Sequence, residues 1–520
     1  MLKTSLNFLG IIIPMATLAS QITILGIKVV VSYLLAGLFL ILLGSMIKIK
    51  TLFVANVFLT SIVFSLFCFM EFSFAYLFKY KIGIDAIYVM LESNKHEAGE
   101  FLSFYFKPEL YILVTVLIFA IIIATILSFK NFQKVEKYKM PKYVNLVVMA
   151  FCFIGLYLKG SLLPVYGAKT IFSYNEQVKQ LSEISILANG HFQNVELDPV
   201  RENEVNILII SESTARSHMG LYDYYRDTNP LLTKRKNELS VFKNVSTPHT
   251  HTLEALDKVL ILEDNDDIVQ KYNLTMVQLF NAAGFSTHWI SNQESLGVFG
   301  NSTRYISKAS NHQYFTEGLM REHDEVLLQP LRDALGQEAK KKFIVVHLMA
   351  THFDYESRYP NKFDRFDSKP KTQFEHEEAY KKINTYDNAV FYNDYIVDSI
   401  ISEVEKKYEY ANVLYLSDHG EDVYETINEA CHTESKGTKP MFDIPFFVWS
   451  SAKSKAARGP LSLNINSRYS SEDLIHTMAD LAGIKFQGFD KTKSIINASF
   501  QEKERLILNN KKYEEVFSSK

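Results

Sequence analysis

Asn412-Val413-Leu414-Tyr415-Leu416-Ser417-Asp418-His419-Gly420-Glu421-Asp422 is the stretch that decides the fold. Val413 to Leu416 are aliphatic, β-branched or aromatic, the composition of a short buried strand. The run stops at Ser-Asp-His-Gly, where polar groups and a glycine permit a tight turn. Ligands of open α/β sheets bind at the carboxyl ends of strands. There Asp418 and His419 can offer an oxygen and a nitrogen to a divalent metal; the alternative is a capping Asp beside a hydrogen-bonded turn histidine.

Working outward, strands are expected at 205–210, 286–290, 343–348, 413–416 and 446–449, with helices at 274–283 and 389–406. The alternation predicts a mostly parallel sheet sandwiched by helices. Glu212, in Ser211-Glu212-Ser213-Thr214, follows the first of these strands as Asp418 follows a later one. A Glu there either ligates metal or serves as a helix-start charge. Thr252 stands where Leu253-Glu254-Ala255-Leu256-Asp257 begins a helical pattern. A hydroxyl at a helix start either caps the helix or, in the positive end of its dipole, favours an alkoxide and a phosphoryl group. His249 and His251 precede it in a weakly specific His-x-His pair. His352 and His432 lie in loops near strands, either as site residues or as ordinary polar positions. Together Glu212, Thr252, Asp418 and His419 make a donor set for one zinc, and the same donors suit manganese. His352 and His432 remain to hold phosphate oxygens or to protonate a leaving group.

The first third of the chain has another character. Apolar stretches at 6–27, 29–47, 52–78, 110–129 and 143–158 predict five membrane helices. Lys48 and Lys50, and the group Lys130, Lys134, Lys137, Lys139 and Lys142, mark cytoplasmic loops, so everything after residue 158 is expected outside. Aromatic residues at 101–106 suggest a helix lying on the membrane. The division expected is a five-helix membrane domain at 1–163, a connector at 164–203 and a catalytic domain at 204–520. The net charge of −3 is too small to suggest a nucleic-acid partner. Of three cysteines, Cys68 and Cys152 lie in apolar runs, leaving Cys431 without an intramolecular partner outside the membrane.

With these motifs assembled, the chain resembles the bacterial inner-membrane phosphoethanolamine transferases of the alkaline phosphatase/sulfatase superfamily. The resemblance rests on Ser211-Glu212-Ser213-Thr214-Ala215-Arg216, Tyr225-Arg226-Asp227-Thr228-Asn229-Pro230, Phe242-x-Asn244-Val245 leading to Thr252, Thr351-His352 with Arg358-Tyr359-Pro360, Tyr386-Asp387-Asn388 and Ser417-Asp418-His419-Gly420-Glu421. It implies five membrane helices and a periplasmic α/β domain. It implies that Glu212, Asp418, His419 and Thr252 bind Zn2+, with Thr252 as the nucleophile. The threonine takes phosphoethanolamine from phosphatidylethanolamine and passes it to a cell-envelope acceptor such as a lipopolysaccharide core sugar or lipid A. His352 and His432 match positions that bind phosphate or a second zinc, and Thr250 and Asn292 match donor-contacting positions. Membrane lipids are implied partners, and a monomer is expected. Some members carry disulfides where this chain has Thr247-Pro248-His249, and a lysine after the Asn292 region that is not found here; both departures bear on the acceptor and make a core sugar at least as good a candidate as lipid A. The rival readings are a phosphoglycerol transferase using phosphatidylglycerol and a non-catalytic membrane-anchored binding protein. A sulfatase activity lacks its Cys/Ser-x-Pro-x-Arg motif.

Overall fold

The structure, a computed structural model, describes residues 6–78, 106–137, 141–159, 161–183, 185–198, 203–262, 267–293, 302–316, 322–458, 464–508, 510–517 and some positions between 81 and 102. Much of the aromatic run expected to lie on the membrane, and Lys139, fall outside them. The chain forms two compact units, Met1–Lys179 and Gln180–Lys520.

The first unit is helical: α1 (Leu9–Ala19), α2 (Ile27–Ser45), α3 (Lys50–Phe78), α4 (Pro108–Lys137), α5 (Lys142–Lys159) and α6 (Leu163–Glu183). Among the described residues α2, α3 and α4 are each long and apolar enough to cross a membrane, and α5 taken with the start of α6 makes a fourth candidate. The stretch expected to span unbroken over 6–27 is interrupted. α1 ends at Ala19, a single turn Ile22–Leu25 follows, and Gly26 at φ +81° leads into α2. Eleven residues reach only about 16 Å, half the hydrocarbon thickness. The break falls at Ser20-Gln21, where the Ser20 hydroxyl bonds back to the Thr17 carbonyl at 2.6 Å. α1 packs closely on α3: a Cβ on Gly10 would lie 2.4 Å from Ser61 Oγ, and Ser65 Oγ donates to the Gly10 carbonyl at 3.1 Å. Small residues let backbones approach where lipid supplies no hydrophobic drive.

The second unit is built on β1 (Glu204–Ser211), β2 (Leu239–Phe242), β3 (Ser286–Ser291), β4 (His312–Phe315), β5 (Lys341–His347), β6 (Tyr410–Ser417) and β7 (Phe446–Ser450). They form one sheet in the order β2-β7-β6-β1-β5-β3-β4. Pairings among β6, β1, β5, β3 and β4 are parallel, while β7 runs antiparallel to both β6 and β2. The sheet is therefore mixed, with one reversed strand. The five strands expected from hydrophobic runs are present; β2, largely buried but only four residues long with Ser240 among them, and β4, an exposed edge, do not read as apolar runs.

Both faces of β1 are covered, which is why Ile207 to Ile210 read as a continuous apolar run. Leu208, Ile210, Val345, Leu414 and Leu416 pack on α7 (Thr252–Leu260), α8 (Met276–Ala282) and α11 (Leu474–Ala482). Ile207, Ile209, Val346, Val413 and Tyr415 pack on α9 (Leu328–Gly336) and α10 (Glu377–Lys407). The alternation is the period-two pattern of a strand. Asn412 Nδ2 donates to Asn206 Oδ1 at 2.8 Å between register partners in the otherwise apolar centre. A one-residue slip would strand both amides, so the pair helps fix the register.

Candidate active site at the carboxyl ends of the strands

β1 and β6 are paired so that Ser211 lies opposite Ser417. The next residues, Glu212 and Asp418, therefore leave the sheet side by side. Ser213 takes φ +57° and its N–H donates to Asp418 Oδ1 at 3.0 Å; the His419 N–H donates to the same oxygen at 2.6 Å. Glu212, Asp418 and His419 are buried, and one potential ligand atom from each lies within 4.8 Å of the others. His419 Nε2 is 3.4 Å from Glu212 Oε1 and 3.5 Å from Asp418 Oδ2. Among the described residues Asp418 Oδ2 has no hydrogen-bond partner.

Thr252 enters from the other side. It is the first residue of α7, after an extended His251 that makes no side-chain cap. Its hydroxyl donates to Glu212 Oε1 at 3.0 Å and lies 3.4 Å from His419 Nε2. His419 Nδ1 lies 2.9 Å from the Gly420 carbonyl. An N–H there leaves Nε2 as a lone pair facing Thr252 and the two carboxylates. Gly420 has to be glycine, because a Cβ would sit 2.0 Å from the Pro440 carbonyl oxygen.

Electrostatics separate the ligands. Burial, with the charge of Glu212, pushes the Asp418 carboxyl up. Burial also opposes charge on Glu212, but neighbouring His419 holds its carboxyl well below the usual range. Two buried carboxylates sharing a site are stabilised by a cation between them. Two carboxylates, an imidazole and a hydroxyl fit zinc, and the unpartnered Asp418 Oδ2 is the oxygen left for it.

The remaining expected residues divide. His432 Nδ1 is 2.7 Å from Glu421 Oε2, and its ring centre is 4.5 Å from that of His419. Tyr355 donates to the other Glu421 oxygen at 3.0 Å, so Glu421 sets the ring of His432. His352 is close enough to interact with Glu212 and His432, and burial lowers it to about 4, leaving a neutral ring. Thr250 is turned away from the hydroxyl cluster and donates to the His432 carbonyl at 3.1 Å. Asn292 is tied by its amide to Asp324 Oδ1 at 2.8 Å and the Glu322 carbonyl at 2.9 Å. Its neighbour Gln293 is the one that reaches the cluster, donating to Glu212 Oε2 at 2.9 Å. His249 pairs with Glu434 at 2.8 Å. His251, lowered by burial to about 3, keeps an unpartnered Nε2.

Glu421, Gln293 and Asp324 were not legible as site residues. Glu421 stands in the Ser417–Glu421 motif without a role assigned to it, and Gln293 adjoins Asn292. Asp324, which also accepts the N–H groups of Met349 and Ala350 and so shapes the loop carrying His352, had no such signal.

A mixed sheet with acid, histidine and threonine gathered at its strand ends defines a sulfatase-type α/β domain, and the sulfatase family signature matches residues 205–484. Phosphoethanolamine transferase EptC of Escherichia coli K12 is 31% identical over 471 residues, covering 82% of this chain and 79% of that protein. The chain belongs to the phosphoethanolamine transferases of the sulfatase family. The C-terminal periplasmic domain of the same Escherichia coli protein, solved in complex with Zn, is 33% identical and covers 61% of this chain and 92% of that one, with a TM-score of 0.58. The integral membrane protein lipooligosaccharide phosphoethanolamine transferase A of Neisseria meningitidis has the same fold over 96% of this chain and 99% of its own, at 17% identity and a TM-score of 0.65.

Proposed function

We propose that Thr252 carries phosphoethanolamine from phosphatidylethanolamine to a lipopolysaccharide acceptor, as a phosphothreonine, with Glu212, Thr252, Asp418 and His419 holding one zinc. The observation that carries this reading is the Thr252 hydroxyl, set between Glu212 Oε1 and His419 Nε2 at the start of α7. The zinc complex of the related Escherichia coli domain supports the choice of metal.

When bound, zinc supplies a Lewis acid that lowers the pKa of a hydroxyl and offsets phosphoryl charge. Glu212 Oε1 accepts a hydrogen bond from the Thr252 hydroxyl and aims the oxygen lone pairs outward, and the hydroxyl proton would be lost to water. The threonine oxygen attacks the donor phosphorus, the bond to the glycerol oxygen breaks, and diacylglycerol leaves with a proton. The start of α7 adds the positive end of its dipole beside the phosphoryl oxygens. His432, held at Nδ1 by Glu421, presents Nε2 to move a proton at the leaving oxygen. Neutral His352, its Nδ1 3.2 Å from the Phe353 carbonyl, keeps Nε2 as a lone pair able to take a proton at the phosphoryl site. An acceptor hydroxyl then attacks the phosphothreonine and returns Thr252 to its starting state.

The finer topology belongs to the same reading. α1 with the turn Ile22–Leu25, then α2, α3, α4 and α5, make five passes, and the lysines of 48–50 and 130–142 face the cytoplasm. The chain resides in the inner membrane as a monomer, with the catalytic domain from 204 onward in the periplasm. The membrane passes keep the site near its lipid donor, raising the effective concentration.

The test uses the full chain in detergent with zinc and phosphatidylethanolamine labelled in its acyl chain. Diacylglycerol is expected to be released, with loss of at least about a thousandfold in Thr252→Ala, the scale of removing a covalent nucleophile. Release that survives in Thr252→Ala, or that occurs only from phosphatidylglycerol, would overturn the reading.

A further inference from the structure

Glu71 is a buried carboxylate in the apolar helix α3, 1% exposed. An ionisable side chain within a membrane helix is expensive and marks a site unless a partner neutralises it. Among the described residues its Oε2 has no hydrogen-bond partner, and neither has the buried hydroxyl of Tyr33. Tyr166 OH lies 3.3 Å from Glu71 Oε1 and 3.2 Å from the Ile82 carbonyl. The described surroundings thus hold a carboxylate, two phenol oxygens and a carbonyl, with the Lys81 ammonium acting on Glu71 from beyond ion-pair contact.

Beside this polar cluster lies a cavity of about 330 Å³, lined by Tyr33, Leu40, Val63, Phe67, Leu162 and Pro164 among others. Its lining is almost wholly apolar. Of its polar residues, Thr60 spends its hydroxyl on the Asn56 carbonyl at 2.6 Å. Tyr33 belongs both to the cavity wall and to the surroundings of Glu71, and Phe67 is one helical turn from Glu71 on the same face of α3. Leu59 and Val63, at 60% and 53% exposed, leave the cavity open on the side that faces lipid.

The depth of these groups is set by helix geometry. Glu71 is seven residues before the end of α3, about 10 Å along the axis, and some 30 Å from Lys50 at its other end. Tyr33 is six residues past the start of α2, about 9 Å. Cavity residues on α3 run from Phe67 back to Leu59, about 6 to 18 Å deeper than Glu71. In the five-pass topology the start of α2 and the end of α3 are both at the outer face. The polar cluster then lies toward the outer headgroup level, with the apolar groove descending from it toward the midplane.

We infer that this groove of the membrane unit binds one phosphatidylethanolamine of the outer leaflet, with an acyl chain in the cavity and its primary ammonium on Glu71. The ammonium supplies three N–H donors, matching the free Glu71 oxygen and the hydroxyl oxygens of Tyr33 and Tyr166. A choline lipid has no N–H to donate there, and a glycerol headgroup brings no cation to Glu71. This is a loading site composed of residues separate from those around Thr252. It rests on the donor and topology readings given above, and it adds where that donor is selected from the bilayer.

The experiment places the full chain in phosphatidylcholine nanodiscs with a trace of phosphatidylethanolamine carrying a photoreactive diazirine in one acyl chain. Crosslinks are expected on the α2 and α3 peptides that contain 33–40 and 59–67. Unlabelled phosphatidylethanolamine should displace them at least fivefold better than phosphatidylcholine or phosphatidylglycerol. Glu71→Gln should lower the labelling at least fivefold and raise KM for the donor with kcat kept. Val63→Trp, which fills the groove and leaves the carboxylate, provides the same test should Glu71→Gln fail to fold. Equal displacement by phosphatidylglycerol, crosslinks elsewhere, or wild-type labelling in a folded Glu71→Gln or Val63→Trp protein would overturn the inference. Thr252→Ala separates the two readings. In Thr252→Ala the groove labelling should persist while diacylglycerol release is lost; labelling in a wild-type chain that releases no diacylglycerol counts against the proposed transfer alone. Release from phosphatidylethanolamine without groove labelling counts against the loading site alone.

Discussion

Gln293 shows how much of the site depends on a neutral residue with no chemistry of its own. Its amide donates to Glu212 Oε2 and, at 3.3 Å, to the Leu348 carbonyl, so it holds the carboxylate with Oε1 toward Thr252. Partners that orient a metal ligand typically contribute 10- to 100-fold in affinity. Gln293→Ala is expected to weaken zinc binding by about that factor, read by competition with a coloured chelator, with its melting point in excess zinc kept. Unchanged zinc affinity would remove Gln293 from the site. Gly420 makes a steric argument at the same scale. Gly420→Ala drives a methyl into the Pro440 carbonyl oxygen. It should cost about 3 kcal/mol, seen as a lowered midpoint in denaturant, because the turn supporting His419 cannot move without displacing the ligand. A midpoint equal to wild type would mean that the 439–443 segment yields freely.

At the level of elements, α10 explains why pattern reading stops short. Apolar periodicity marks 389–406, yet the helix begins at Glu377. Its first three turns are buried through polar residues, with Asp387, Asn388 and Lys382 all under 9% exposed. Asp387 accepts from Arg226 at 2.8 Å and Tyr224 at 3.0 Å, and contacts His218 Nδ1 at 2.7 Å. Asn388 Oδ1 takes the N–H groups of Arg365 and Phe366. Tyr386 joins in by donating to the Ser213 carbonyl at 2.7 Å, directly behind Glu212. The Tyr-Asp-Asn motif is therefore a clasp between α10 and the site loops, with no group in the cluster of ligands. Asp387→Asn leaves Arg226 buried without its counter-charge and should cost about 3–5 kcal/mol of stability. Thermal unfolding of the full chain should show the loss, and fully folded enzyme at low temperature should keep its KM. A wild-type unfolding curve would contradict the clasp.

For the whole molecule, the ligand set links stability to metal. A zinc held as proposed would bind only where β1, β6 and the start of α7 are in place, and would stabilise the folded state by mass action. At a thousandfold excess over Kd the gain is about 4 kcal/mol. Removing zinc with a chelator should lower the melting temperature of the catalytic unit by several degrees, and added zinc should restore it. No shift, with metal shown to be absent, would mean the cluster is not a zinc site. The described residues of the membrane unit hold no such three-ligand group, so its unfolding should not respond.

The sequence by itself determined the α/β class and the sheet strands with buried apolar runs, and it singled out Glu212, Thr252, Asp418 and His419 as candidates, because each of these is written in a local pattern. A buried strand followed by a polar turn, or a threonine opening a helix, needs no distant partner to be recognised. The tertiary structure decided what depends on pairing across long separations. The register of β1 with β6 sets Glu212 beside Asp418 across 206 residues, and the fold turns Gln293 toward Glu212 while it commits Asn292 to Asp324. It also reversed β7, cut the first apolar stretch at Ser20-Gln21, and left one oxygen of Glu71 facing no partner among the described residues. Hydrogen-bond partners and cavities are properties of packed surfaces, and no local stretch of sequence contains them.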